Sequence, residues 1–255
     1  DYKDYSKDIT GKISLEEKSV KSIGGRILFS EQEMFSSSSL LNKFTNVLND
    51  DQKKYLRQFK SNFNIDNFTN NIKNLKNLNV LVIGEAIIDE YVFCEALGKS
   101  GKESVLALRE QKHDRYLGGV LPIAKNIANF CDKISVISYL GENNEELNFI
   151  KKNLDKKIKT FFVKKEKSPT IIKRRYLDKV DRKKILGIYK INDDEINQAN
   201  ELKILNKLKK DIKKFDLVLV ADYGHGLITK NITEFLKNHS KFLVVNAQVN
   251  SSNIS

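Results

Sequence analysis

The sequence has no tryptophan, one methionine, two cysteines and three histidines. Cys94 and Cys131 stand far apart with no C-x-x-C, and His113, His225 and His239 keep no metal-ligand spacing. A disulfide framework and a zinc site are therefore not expected. No apolar run approaches the roughly 18 residues of a membrane span, and Asp1-Tyr2-Lys3-Asp4 opens no signal peptide. The expected location is cytoplasmic. Lys and Arg number 45 against 33 Asp and Glu, a net charge of +12 that attracts nucleic acid, membrane surfaces or phosphorylated small molecules. No basic stretch is interleaved with aromatics as a base-stacking surface requires, and the lysines are spread along helical segments among Asn and Ile. Nucleic acid is not an expected partner. The single methionine is Met34, so no initiator stands at position 1, and no closing helix follows the strand exit at Val244–Gln248. These ends predict a fragment or processed chain, with its fold cut at both.

What is present suits a soluble globular protein: 40% hydrophobic and 31% charged residues in a chain of 255, enough for one sizeable α/β domain or a domain and part of another. Residues 1–50 hold few apolar runs, with a strand expected at Gly25–Phe29 and serines 36–39 leading into Leu40-Leu41-Asn42. Residues 51–76 read as a Lys/Asn-rich helical linker. From Asn79 the pattern changes to short buried strands: Val80–Gly84, Ile134–Leu140, Leu217–Ala221 and Phe242–Val245 are continuous apolar runs. Helical stretches separate them. The clearest sets Ile196, Ala199, Leu202, Leu205, Leu208 and Ile212 in one stripe, with Asp193, Asp194 and Glu195 expected at its N-terminal end. Alternation of this kind predicts a parallel sheet covered by helices. Tyr91–Cys94 and Val105–Arg109, joined through glycines with no helix between, predict an antiparallel excursion off that sheet, of the kind that forms lids.

Ligands of open α/β sheets bind beyond the carboxyl ends of the strands. Asp89, Asp222-Tyr223-Gly224-His225-Gly226 and Asn246 follow apolar runs, Gly118-Gly119 precedes a helix, and together they are the candidate site. A carboxylate there accepts hydrogen bonds from sugar hydroxyls, or caps a helix; paired glycines admit backbone to a ligand, or simply turn the chain. Period-two alternation over Thr170–Leu177 places Lys173 and Arg175 on one face, suited to a phosphate or to a solvated edge strand.

In this order the pieces resemble the ribokinase-like (PfkB-type) carbohydrate kinases, most closely the heptose-phosphate kinase branch often fused to a nucleotidyltransferase. The residues that carry the resemblance are Val80–Asp89, Gly118-Gly119 with Asn126-Ile127-Ala128, and Asp222–Gly226, similar to the family's D-Y-G-x-G. It covers about residues 79–250 and implies a three-layer α-β-α sheet, truncated, with a small β-lid over residues 91–117 in a kinase domain spanning 77–255. It also implies that Asp89, the Gly118-Gly119 backbone and Asn126 contact the sugar, that Lys173 and Arg175 neutralise a sugar phosphate, and that Asp222 and Asn246 lie near it. Mg-ATP would be the phosphoryl donor, and dimers through the lid are common in the family. Pro122 stands where related kinases often carry Asn, with Asn126 one turn on. The family's G-A-G-D, which supplies the catalytic base, does not occur; the base is expected beyond Ser255 and the fragment is expected to be inactive. Ser36–Asn42 is similar to the S-S/T-x-x-I element of cytidylyltransferase-type nucleotidyltransferases, although no H-x-G-H is present. The alternative function is a non-catalytic sugar-phosphate-binding domain on the same fold.

Overall fold

The computed structural model describes residues 12–26, 48–101 and 103–248. Contacts divide the chain into two units, residues 1–64 and 65–255. In the first, helix α1 spans Lys12–Ser22 and α2 spans Asp50–Asn62. A capping box starts α2: the Asn49 side chain accepts the Gln52 N–H at 2.8 Å, and Gln52 Oε1 accepts the Asn49 N–H at 2.9 Å. Neither Gly25 nor Arg26 is in a strand, and the rest of the expected strand at Gly25–Phe29 lies outside the described residues, as does Ser36–Asn42.

The second unit opens with helix α3 (Ile65–Leu75), none of whose residues is buried. Strands β1 (Asn79–Gly84), β4 (Lys133–Gly141), β5 (Ile158–Lys165), β8 (Leu217–Asp222) and β9 (Leu243–Ala247) form one sheet, in the order β5-β4-β1-β8-β9 and parallel throughout. Central β1 shows why its sequence is continuously apolar. Leu81 and Ile83 enter one core cluster while Val80 and Val82 enter the other, and all four are fully buried. A strand covered on both faces gains roughly 2 kcal/mol from each such side chain. Helices α4 (Val120–Ile127) and α5 (Leu147–Asn153) contribute Leu121 and Ile150 to the second cluster. Helices α6 (Gln198–Asp211) and α7 (Lys230–His239) contribute Leu208 and Leu236 to the first.

β2 (Ala86–Lys99), β3 (Leu106–Gly119), β6 (Ile171–Asp178) and β7 (Lys184–Lys190) form a second sheet in the order β3-β2-β6-β7. The excursion expected over 91–117 is the outer part of the β2–β3 hairpin, which pairs from Ala86 to Gly119. β6 is not an edge strand: β2 runs parallel to it on one side and β7 antiparallel on the other, with Asp89 opposite Lys173 and Tyr91 opposite Arg175.

The helical stripe near residue 200 differs from expectation. α6 starts at Gln198, capped by Asn197, so Asp193, Asp194 and Glu195 lie before the helix and not in its first turn. Leu202 is 49% exposed, and the buried face is Asn200, Glu201, Ile204 and Leu208. Steps of three residues fall about 60° short of a full turn, so a stripe built of them winds off the buried face. Among the described residues no helix is long and apolar enough to cross a membrane.

Candidate functional site

The carboxyl end of β1 sets the site. Glu85, fully buried, follows Gly84 and turns its carboxylate onto the loop after β8. Oε2 accepts the Tyr223 N–H at 2.9 Å, and Oε1 accepts the N–H groups of His225 at 3.3 Å and Leu227 at 3.2 Å. Burial raises the Glu85 pKa, against the opposing effect of these amides. The loop Asp222–Leu227 is thereby tied to the start of the second sheet, more than 130 residues earlier in the chain.

Beyond this tie lies a cleft of about 340 Å³, lined by Asp89, Gly118, Gly119, Asn126, Lys173 and Arg175 together with Ile87, Leu117, Pro122, Ile123, Tyr223 and Gln248. Six of the eight sequence-derived candidates meet here. Asp222 and Asn246 do not line it. The Asp222 carboxylate is turned onto its own loop, where Oδ1 accepts the Gly224 N–H at 2.9 Å. Asn246 is an exposed residue of edge strand β9.

Asp89 Oδ1 accepts from Arg175 Nη1 at 2.5 Å. The Arg175 guanidinium also lies 5.5 Å from the centre of the Tyr91 ring and 6.0 Å from that of Tyr189. Burial works against its charge, but the Asp89 carboxylate more than offsets this and raises the Arg175 pKa. Lys173, two residues earlier on the same face, makes no ion pair or side-chain hydrogen bond among the described residues. Burial pushes its pKa below the ordinary lysine value, and the nearby Asp89 charge restores only part of the shift. With one carboxylate committed to Arg175, the cleft keeps an uncompensated cation.

The glycines are required by close approach. A Cβ on Gly118 would fall 2.3 Å from Asp89 Oδ2. Gly119 has φ +59° and a Cβ there would fall 2.1 Å from the Glu85 carbonyl oxygen. That same oxygen accepts the Val120 N–H at 2.9 Å, the first helical amide of α4. Gly119→Ala is expected to cost about 2–3 kcal/mol through strain and the displaced contact, read as a lower urea midpoint of unfolding.

No family model matches the chain. It is 30% identical over 155 residues to the bifunctional protein HldE of a Nitratiruptor species, covering 61% of this chain and 33% of that one. It is 30% identical over 175 residues to the bifunctional protein HldE of Aliarcobacter butzleri, covering 66% and 36%. Its fold matches that of phosphofructokinase-2 from Escherichia coli, solved in complex with fructose-6-phosphate, with a TM-score of 0.50, 11% identity, and 69% and 56% of the two chains covered. The chain has a ribokinase-like α/β fold and is similar in sequence to the HldE proteins. It spans about a third of the length of those curated relatives.

This ribokinase-like chain carries polar groups that sequence reasoning missed. Gln248, brought in by the carboxyl end of β9, lines the cleft beside Tyr223 of the expected Asp222–Gly226 stretch. Glu85 was visible only as the residue after a buried strand, the same signal that singled out Asp89. Lys165, 3% exposed at the end of β5, donates from Nζ to the carbonyls of Asn192 at 2.6 Å, Asp194 at 2.5 Å and His225 at 3.2 Å. Its position in a Lys-rich run concealed that it is interior. Burial lowers its pKa, and its ammonium lies 4.9 Å from the centre of the Tyr139 ring.

Proposed function

We propose that this chain carries the acceptor-binding site of an ATP-dependent kinase acting on a sugar or sugar phosphate of the heptose-phosphate type. The observation that carries the reading is the charge balance of the cleft. A carboxylate, Asp89, is held in place by Arg175, and beside it stands a second cation, Lys173, with no ion pair. A carboxylate accepts hydrogen bonds from sugar hydroxyls, while an unpaired half-buried ammonium is stabilised by a phosphate. The Gly118-Gly119 backbone admits the ring closely, and the Asn126 amide offers both a donor and an acceptor. Relatives that share about 60% of the chain are named as bifunctional HldE proteins, which supports the heptose branch. The accompanying domain reading is a nucleotidyltransferase tail over 1–50, a helical linker over 51–76 and the kinase domain over 77–255.

ATP with Mg2+ belongs to this reading as the phosphoryl donor. Among the described residues there is no group of three or more His, Cys, Asp or Glu side chains able to hold a metal ion. A magnesium ion held by one or two carboxylates and the donor's phosphates needs no such group, and no step is derived through it. What this chain's residues do is bind and orient the acceptor.

The test is calorimetric titration of the chain with heptose 7-phosphate, fructose 6-phosphate and inorganic phosphate, followed by a phosphoryl-transfer assay with Mg-ATP. Tighter binding of the sugar phosphate than of phosphate alone, with turnover, is the expected result. Binding without turnover favours the non-catalytic domain, and no binding removes both readings. The affinity is also expected to depend on pH with a definite sign. A bound phosphate stabilises the Lys173 ammonium, so affinity is full below the pKa of the free cleft and falls as pH rises through it. Because burial depresses that pKa, the fall begins below the ordinary lysine value of 10.5.

Self-association through the lid is part of the proposal. The outer sheet exposes Leu97, Leu106, Leu186 and Ile188, each at least half exposed. Sedimentation is expected to show a dimer that Leu97→Lys with Leu106→Lys, both in the lid, converts to monomer.

A further inference from the structure

A second cavity, of about 530 Å³ against about 340 Å³ for the cleft, opens at the amino ends of β1, β4 and β5. It shares no lining residue with the cleft, and β1, roughly 20 Å long for its six residues, runs from the cavity toward the cleft beyond its carboxyl end. Six of the 17 residues that line the cavity are lysines: Lys133, Lys157, Lys159, Lys207, Lys210 and Lys214. That is twice the share set by 45 Lys and Arg in 255 residues, whereas the two carboxylates, Asp132 and Asp211, only match the chain's average of 33. The overall basicity of the chain therefore does not explain the lining. The dipole of α6 accounts for Lys207, Lys210 and Lys214, which stand near its carboxyl end. It does not account for Lys133, Lys157 and Lys159, which come from the starts of β4 and β5.

The carboxylates leave most of this charge in place. Asp211 is shared between two ammonium groups, Lys207 at 2.9 Å and Lys214 at 2.6 Å. Lys157 lies 3.6 Å from Asp132 and also donates to the Ala128 carbonyl. Lys133, Lys159 and Lys210 make no ion pair or side-chain hydrogen bond among the described residues. Six cations against two anions leave an excess of four positive charges around one concavity. Leu81, Ile137 and Phe215 in its lining are buried, and beside such apolar groups an ammonium attracts an anion more strongly than in open water. We infer that this cavity binds a chain of linked phosphates, as in inorganic tripolyphosphate or the triphosphate of a nucleotide. A single phosphate group carries about 1.5 to 2 negative charges and neutralises only about half of the excess. Linked phosphates match it and reach lysines from three separate segments at once. The inference does not depend on the reading of the acceptor cleft.

Calorimetric titration without Mg2+ tests this with tripolyphosphate, inorganic phosphate and ATP. Wild-type protein is expected to bind tripolyphosphate at least tenfold more tightly than inorganic phosphate. Lys159→Gln with Lys210→Gln removes two exposed, unpaired ammonium groups and is expected to weaken tripolyphosphate about 30-fold at an unchanged urea midpoint. Two comparisons locate the loss. Lys230→Gln with Lys237→Gln takes the same charge from exposed positions of α7, and Lys173→Ala takes one charge from the cleft. Each is expected to change tripolyphosphate affinity less than threefold. A loss in the α7 pair equal to that in the cavity pair means attraction to net charge alone, and a loss confined to Lys173→Ala puts the anion in the cleft; either overturns the inference. So does a wild-type protein that ignores tripolyphosphate, or a cavity pair that binds it as wild type does. ATP tells the two sources apart. Tighter binding of ATP than of tripolyphosphate, lost in the cavity pair, assigns the site to a nucleotide, and equal or weaker binding assigns it to the phosphate chain. If heptose 7-phosphate does not bind while tripolyphosphate behaves as expected, the proposed function falls and this inference stands.

Discussion

Lys173→Ala is expected to weaken binding of heptose 7-phosphate by about 30-fold to 100-fold, the range for losing a charge-assisted hydrogen bond to a phosphate in a partly dehydrated site. Calorimetry on the folded variant measures it, with circular dichroism as the check on folding. The size of the effect follows from Lys173 being the cleft cation that Asp89 does not neutralise. Asp89→Ala acts in two ways at once. It removes the acceptor for the sugar hydroxyls, and it frees Arg175 from its 2.5 Å hydrogen bond. A free sugar is therefore expected to lose affinity in Asp89→Ala, whereas inorganic phosphate is expected to hold or gain, because the cleft then contains two unneutralised cations. Equal losses for both ligands would show that Asp89 supports the cleft and does not contact the sugar.

The second large effect is on stability. Glu85→Ala leaves the N–H groups of Tyr223, His225 and Leu227 facing a buried space with no acceptor. Each such group costs on the order of 1–3 kcal/mol, and relief of the burial penalty on the carboxylate returns part of that, so a net loss of about 3 kcal/mol is expected. Urea unfolding measures it as a lower midpoint at an unchanged slope. Glu85→Gln keeps one acceptor and is expected to lose less than half as much. A variant as stable as wild type would show that the loop holds itself without Glu85.

Much of this architecture was legible because it depends on local pattern. The run Val80–Gly84 must be buried on both faces to be continuously apolar, and the structure divides it between two cores. The hairpin was legible from two strand-like stretches without a helix between them, and Lys173 and Arg175 from the period of two that places both on the cleft face. The helix at 198–211 shows where pattern reading fails. Leucines three apart suggested a stripe through Leu202; Ile196, Leu208 and Ile212 of that stripe are buried, but burial follows 3.6 residues per turn and selected Ile204 in place of Leu202.

The sequence by itself determined the α/β class, four of the five strands of the main sheet, the β2–β3 hairpin and the placing of Asp89, Lys173 and Arg175, because period and position after a strand are properties of short segments; Asn126 came from the family resemblance. The tertiary structure decided which charges face which. Arg175 pairs with Asp89 across neighbouring strands, Asp222 turns back on Gly224, and Glu85 and Lys165 are buried despite their charge. The same holds for His225, whose ring is oriented by Asp193 from a loop 32 residues away. Electrostatic partners are chosen by distance in space, and no local period records which distant segment will arrive beside a given side chain.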